Sequence, residues 1–179
     1  PGSSVKIGWG ASAATVDVIE ANHPDRGLAY RLRADGAVFF YSGDHEITCD
    51  HASREQAKKM LQDADIAIVD ATYSRATYRE GWGHSTWEDW AEIAAGIPVK
   101  TMIFTHHEPG KEDRALDELQ KQLDVFSAPG ISRYLVAREG MRLTPPALPN
   151  FVVDSSEWEH EFWDELSRYK EEHAILDRI

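Results

Sequence analysis

Cysteine is almost missing from this sequence: Cys49 stands alone among 179 residues, so no disulfide can form within the chain and nothing points to an oxidising compartment. Basic residues are scarce as well. Lys and Arg total 19 against 31 Asp and Glu, a formal charge of -12, and a surface of that sign repels a nucleic acid polymer. A small anionic substrate stays compatible where a bound cation dominates the local field. Apolar runs of roughly 18 residues, the length that spans a bilayer, are lacking too. Pro1-Gly2-Ser3-Ser4 is not the basic-then-apolar opening of a secretion signal and reads as a cut edge or a linker. Cytoplasm is therefore the expected location, with no membrane partner.

Hydrophobic residues make up 42% of the chain, enough for one core. Three segments before Gly43 alternate or run apolar as strands do: Thr15–Glu20, Leu28–Arg33 and Ala37–Tyr41, the last after a turn at Asp35-Gly36. After Asp44 the pattern changes to alternating helix and strand. Ser53 is expected to cap a helix over 54–62, and Ile66–Val69 is a short buried strand ending at Asp70. Ser85 or Thr86 opens a helix that Gly96 stops, and Thr101–Thr105 is a buried strand ending in His106-His107. A helix over 111–123 and a strand near Tyr134–Val136 follow. Past Thr144-Pro145-Pro146, Trp158, Phe162, Trp163, Leu166 and Tyr169 recur at helical spacing. The expected architecture is a layered α/β (α+β) body over 1–148, its site along one sheet edge, with a C-terminal helical extension over 149–179 that packs on the body or on another subunit.

Eight histidines are many for this length. Four polar residues fall at element boundaries: His23 and Asp44 after strands, His84 before a helix, His106 after a strand. Each has an ordinary explanation by itself. His23 before Pro24 is a common turn, Gly43-Asp44 a turn or cap, Gly83-His84-Ser85-Thr86 a helix start, and His106-His107 a surface pair. Together they form a set that suits a borderline-soft divalent ion, which takes imidazole nitrogens and carboxylate oxygens on rigid strand ends.

The order of these words resembles the metallo-β-lactamase superfamily, above all its ribonuclease Z and cyclic-phosphodiesterase branches. The resemblance runs over residues 15–140. It rests on His23-Pro24 ahead of Tyr30-Arg31, on Tyr41-Ser42-Gly43-Asp44, on Asp63-Ala64-Asp65 leading to Asp70-Ala71-Thr72-Tyr73, on Gly83-His84-Ser85-Thr86, and on Phe104-Thr105-His106. It implies the C-terminal half of the αββα fold and a metal-dependent hydrolase of phosphodiesters, cyclic nucleotides among them; the acidic charge argues for a small substrate over transfer RNA. It implies two divalent metal ions, zinc before manganese or iron. His23 would be a terminal ligand of one ion, Asp44 the bridging carboxylate, and His106 a ligand of the second. His84 resembles the catalytic histidine that protonates the leaving oxygen, with Asp70 orienting it. His107 has no assured counterpart and is a candidate for the layer behind the ligands or for the substrate. His45 and Glu46 flank Asp44, one of them expected to face the cleft, and His51, His160 and His173 read as surface residues.

One departure matters. The superfamily's His-x-His-x-Asp-His run, which supplies ligands to both metals, does not occur between Pro1 and His23. Three ligands shared between two ions leave each with two, fewer than the three usual for catalytic zinc. The expected partner is therefore the missing N-terminal half, in the same protein or on a companion chain, and the fragment alone is expected to be inactive. A homodimer is a further expectation. The alternative is a degenerate, non-catalytic interaction or dimerisation module on the same fold; a di-iron redox protein on that fold is a third reading.

Overall fold

Alternating apolar residues turn the first part of the chain into a meander. β1 (Ser3–Ile7), β2 (Ala14–Glu20), β3 (Leu28–Ala34) and β4 (Ala37–Tyr41) pair antiparallel in sequence order. Asp35 and Gly36, with φ of 50° and 79°, form the two-residue turn between β3 and β4 that an Asp-Gly dipeptide favours. Beyond Gly43 the pairing becomes parallel, because each return to the sheet is carried by a crossover. α1 (His51–Leu61), β5 (Ile66–Asp70), α2 (Trp87–Ala94), β6 (Val99–Thr105), α3 (Asp113–Val125) and β7 (Ile131–Val136) complete a seven-stranded sheet in the order β1 to β7. The computed structural model describes residues 3–7, 13–48 and 50–141, so the helical extension expected over 149–179 lies outside the described residues.

The expected mixed α/β fold is the one adopted, with differences at element bounds: β6 begins at Val99 where Thr101 was expected, and β7 at Ile131, ahead of Tyr134. β1 was not expected; it is a short edge strand, exposed throughout. α1 begins earlier than Ser53 because Asp50 is its cap, the carboxylate accepting from Ser53 N at 2.9 Å. Ser53 instead accepts from Thr48 N at 3.3 Å. α3 starts at Asp113 and ends at Val125, two residues later at each end than expected. For α2, Thr86 is the cap, accepting from Asp89 N at 3.0 Å, which frees Ser85 for other work.

All three helices contribute to one buried cluster on one face of the sheet. Phe40, Ala67, Met102 and Tyr134 form a row across β4 to β7, and Met60, Leu61, Trp90, Ile93 and Leu123 close over it. The opposite face of the meander carries Val5, Ile7, Leu28, Tyr30 and Tyr41, between 38% and 58% exposed. Among the described residues, no helix is long and apolar enough to cross a membrane.

This topology decides where chemistry can sit. β2 points the same way as β4, β5 and β6, since two antiparallel steps separate it from β4. The C-terminal ends of all four strands therefore meet at one sheet edge; Asp70 ends β5 there, and His23, Asp44 and His106 lie just beyond β2, β4 and β6.

Candidate functional site

Asp44 leaves β4 through Gly43, whose φ of 58° and close approach to the Leu28 carbonyl permit no side chain: an added Cβ would lie 2.4 Å from that oxygen. His106 leaves β6 with φ of 58°, a conformation that costs a non-glycine residue and is held here by its neighbours. The Thr72 hydroxyl lies 2.7 Å from both the His106 carbonyl and Asp70 Oδ1, tying the two strand ends together. His84 reaches the same edge on the connection between β5 and α2, which is fastened at its base by a bridge between Tyr73 and Thr86.

The four sequence-predicted residues converge. His23, Asp44 and His84 each offer a ligand atom, and these atoms lie within 4.8 Å of one another. His106 Nδ1 stands 3.5 Å from Asp44 Oδ1, and its ring stacks on His84 with centroids 4.8 Å apart. The His23 ring meets His84 edge-on at 5.5 Å. Three imidazoles and a carboxylate are the donors a zinc-like ion takes, so the residues fit the metal that the resemblance implies. Asp44 and His106 are open, their side chains 41% and 47% exposed, whereas His84 is 17% exposed.

Asp70 is fully buried at the end of β5, and its four acceptor contacts fix the geometry. Oδ2 lies 2.8 Å from His84 Nδ1 and accepts from His45 N at 3.1 Å; Oδ1 accepts from Thr72 N at 3.0 Å and faces the Thr72 hydroxyl. With Nδ1 turned to a carboxylate, Nε2 is the His84 nitrogen left to face the cluster.

Several neighbours depart from expectation. Neither His45 nor Glu46 faces the cleft. The chain after Tyr41 is no longer a strand, so alternation does not apply, and both side chains turn inward. His45 packs on Trp90 at 5.7 Å and accepts from Asn22 N at 3.2 Å; burial pushes its pKa down to about 4, so the ring is neutral. Glu46 is 4% exposed, and its carboxylate accepts from Tyr78 OH at 2.6 Å, Gly81 N at 2.7 Å and Gly83 N at 2.9 Å. His107 has both ring nitrogens buried without a hydrogen-bond partner among the described residues; burial, then the Lys111 ammonium, pushes its pKa down. His51 is the exposed first residue of α1, as a surface role requires, while His160 and His173 lie outside the described residues. Sequence reasoning named Glu46 and Ser85 without the contacts that use them, and did not single out Trp90. Ser85 Oγ bonds Ile47 N at 3.0 Å as well as the His45 carbonyl, and Trp90 Nε1 donates to the Asp70 carbonyl at 2.9 Å.

Comparison with known proteins bears on the family and the fold. No curated protein matches the sequence significantly. Among solved structures, the metallo-beta-lactamase fold protein YhfI from Bacillus subtilis is 17% identical with a TM-score of 0.58, over 76% of this chain and 51% of that one. The short form of human tRNase Z is 17% identical with a TM-score of 0.56, over 80% and 47%. A diphosphatase from the PhnP family is 23% identical with a TM-score of 0.51, over the same 80% and 47%. At these identities the likeness is one of fold, and the chain spans about half the length of the structures it matches. The sequence itself matches the model of the beta-lactamase superfamily domain over residues 1–107, more than half of its length, and the chain belongs to that family.

Proposed function

We propose that this chain is the C-terminal half of a metal-dependent hydrolase of small phosphodiesters, cyclic nucleotides among them, whose remaining metal ligands come from an N-terminal half on the same or a companion chain. The carrying observation is the Asp70–His84 pair, an imidazole oriented by a buried carboxylate beside His23, Asp44 and His106. A tRNase and a diphosphatase among the structural neighbours, both named for cleaving bonds to phosphorus, support the substrate class. The formal charge of -12 favours a small substrate over transfer RNA.

His23, Asp44 and His106 would hold two divalent ions, zinc first. When bound, such ions supply an acidified water and neutralise phosphate charge. The chain's own residues do the rest. His84 keeps a proton on Nε2 and gives it to the departing alkoxide oxygen; Asp70 accepts the Nδ1 proton in a hydrogen bond and stabilises the imidazolium form. The backbone N–H groups of His45 and Thr72 hold that carboxylate still.

The test is metal content by mass spectrometry together with bis(p-nitrophenyl) phosphate hydrolysis, on the full-length protein and its His84→Ala variant. About two bound ions are expected, with activity falling about 10²- to 10⁴-fold in the variant while metal is retained. The closeness of His23, Asp44 and His84 favours an alternative role for His84, a metal ligand through Nε2 in place of the proton donor, and loss of metal in the variant would establish it. If no metal binds, or the variant is as active as its parent, a non-catalytic interaction module takes the place of the enzyme.

A further inference from the structure

Glu46 is a buried acid to which the proposed chemistry gives no task. Nothing cationic is paired with it among its hydrogen-bond partners; its carboxylate is satisfied by three donors, Tyr78 OH, Gly81 N and Gly83 N, all on the segment that delivers His84. Burying a carboxylate is costly unless such donors are aimed at it, so the three bonds and the burial stand or fall together. The other end of Glu46 is fixed as firmly. Its N–H donates to the Asn22 carbonyl at 2.8 Å and its carbonyl accepts from Asn22 Nδ2 at 2.9 Å, beside His23. One residue back, His45 N reaches Asp70, and one residue on, Ile47 N reaches Ser85.

The segment clamped by Glu46 also touches a metal-site residue directly. Gly83 packs on the His23 ring so closely that a Cβ there would lie 2.2 Å from His23 Cδ2. We infer that Glu46 is a positioning residue: it locks Tyr78–Gly83 against the core and thereby sets the His84 ring between Asp70 and His23. The hydrogen-bond clamp follows from the geometry above, whereas its consequence for turnover rests on the proposed hydrolase reading.

The experiment is nuclear magnetic resonance on the ¹⁵N-labelled full-length protein without metal or substrate, comparing the parent with Glu46→Gln. The amide keeps the shape and removes the charge. Exchange of the Gly81 and Gly83 amides is expected to accelerate about ten- to a hundredfold, the worth of a hydrogen bond to a charged group, while β5 and β6 amides stay protected. The downfield Nδ1 proton of His84, held on Asp70, is expected to broaden or vanish with them. Should Glu46→Gln fail to fold, Tyr78→Phe, which removes one bond and leaves the carboxylate, is expected to move the same signals in the same direction by less. Unchanged Gly81 and Gly83 exchange, or an unchanged His84 proton when they do change, overturns the inference. Both readouts precede any chemistry, so failure of the hydrolase reading would appear as missing metal or missing turnover with the clamp signals intact.

Discussion

At the residue scale, the sharpest constraint is a missing side chain. Gly83 has φ of 84°, and a Cβ on it would meet His23 Cδ2 at 2.2 Å and Pro24 Cδ at 2.7 Å. Gly83→Ala therefore carries a backbone cost of about 1–2 kcal/mol and must also push the His23 ring away from Asp44 and His84. Zinc titration by calorimetry is expected to show affinity reduced about tenfold or more, since a ligand is displaced; zinc binding equal to the parent's would sink the idea. Asp65 gives a prediction about pH. Burial by itself would raise its carboxyl, but Lys100 Nζ at 2.5 Å and Val38 N at 2.8 Å outweigh that and hold its pKa below the ordinary value of 3.8. The folded state thus binds this proton less readily than the unfolded chain, so the contribution is complete above 3.8 and is lost as pH falls below it. Denaturant melts against pH should show a shallower acid limb in Asp65→Asn. Lys100, 53% exposed, should cost under about 1 kcal/mol when replaced by Ala. Residues of this kind were only half legible: the Asp63-Ala64-Asp65 and Gly83-His84 words were visible, but the partners that give them meaning are distant in sequence.

Among elements, α2 is the one that holds the site from behind. Trp90 is completely buried, meets Phe40 at 6.1 Å and His45 at 5.7 Å, and donates to the carbonyl of Asp70. Trp90→Phe keeps most of the packing and loses that donor, a change of about 1 kcal/mol; Trp90→Ala also opens a cavity and should cost about 3–5 kcal/mol. Thermal and urea unfolding of the pair distinguish the two terms, and equal losses in both variants would show that the hydrogen bond, not the volume, dominates. Strands such as Ile66–Asp70 and the Thr101–Thr105 part of Val99–Thr105 were readable because their apolar runs have a clear length and end in polar words. The stretch Asp44–Ile47 was not. It has no period, and its side chains are placed by Asn22, Asp70, Ser85 and the Gly81–Gly83 backbone, contacts that no local pattern announces.

Across the molecule, the two faces of the sheet are unequal, and the inequality bears on what completes the site. The helices close over one face; on the other, Val5, Ile7, Leu28, Tyr30 and Tyr41 remain exposed in adjoining registers, Val5 beside Val16 and Tyr30 between Val18 and Tyr41. The same meander turns charge to the helix side, where Arg33 pairs with Asp17 at 2.6 Å, so the apolar side is patterned for contact rather than for water. An N-terminal half that brings the absent ligands would bury this surface with the same docking step. Chain 1–147 produced alone is then expected to bind a hydrophobic dye and to associate as its concentration rises, by light scattering. Tyr30→Lys should remove both behaviours, because a charge in the centre of the patch opposes burial, whereas Arg33→Gln on the opposite face should remove neither. In the full-length protein the dye should not bind, and Tyr30→Lys should lower stability by about 1–3 kcal/mol, the penalty for burying a charge-bearing side chain where an aromatic ring packed. A dye-free, monomeric chain 1–147 would mean that the face needs no cover, and the companion half would lose its physical reason.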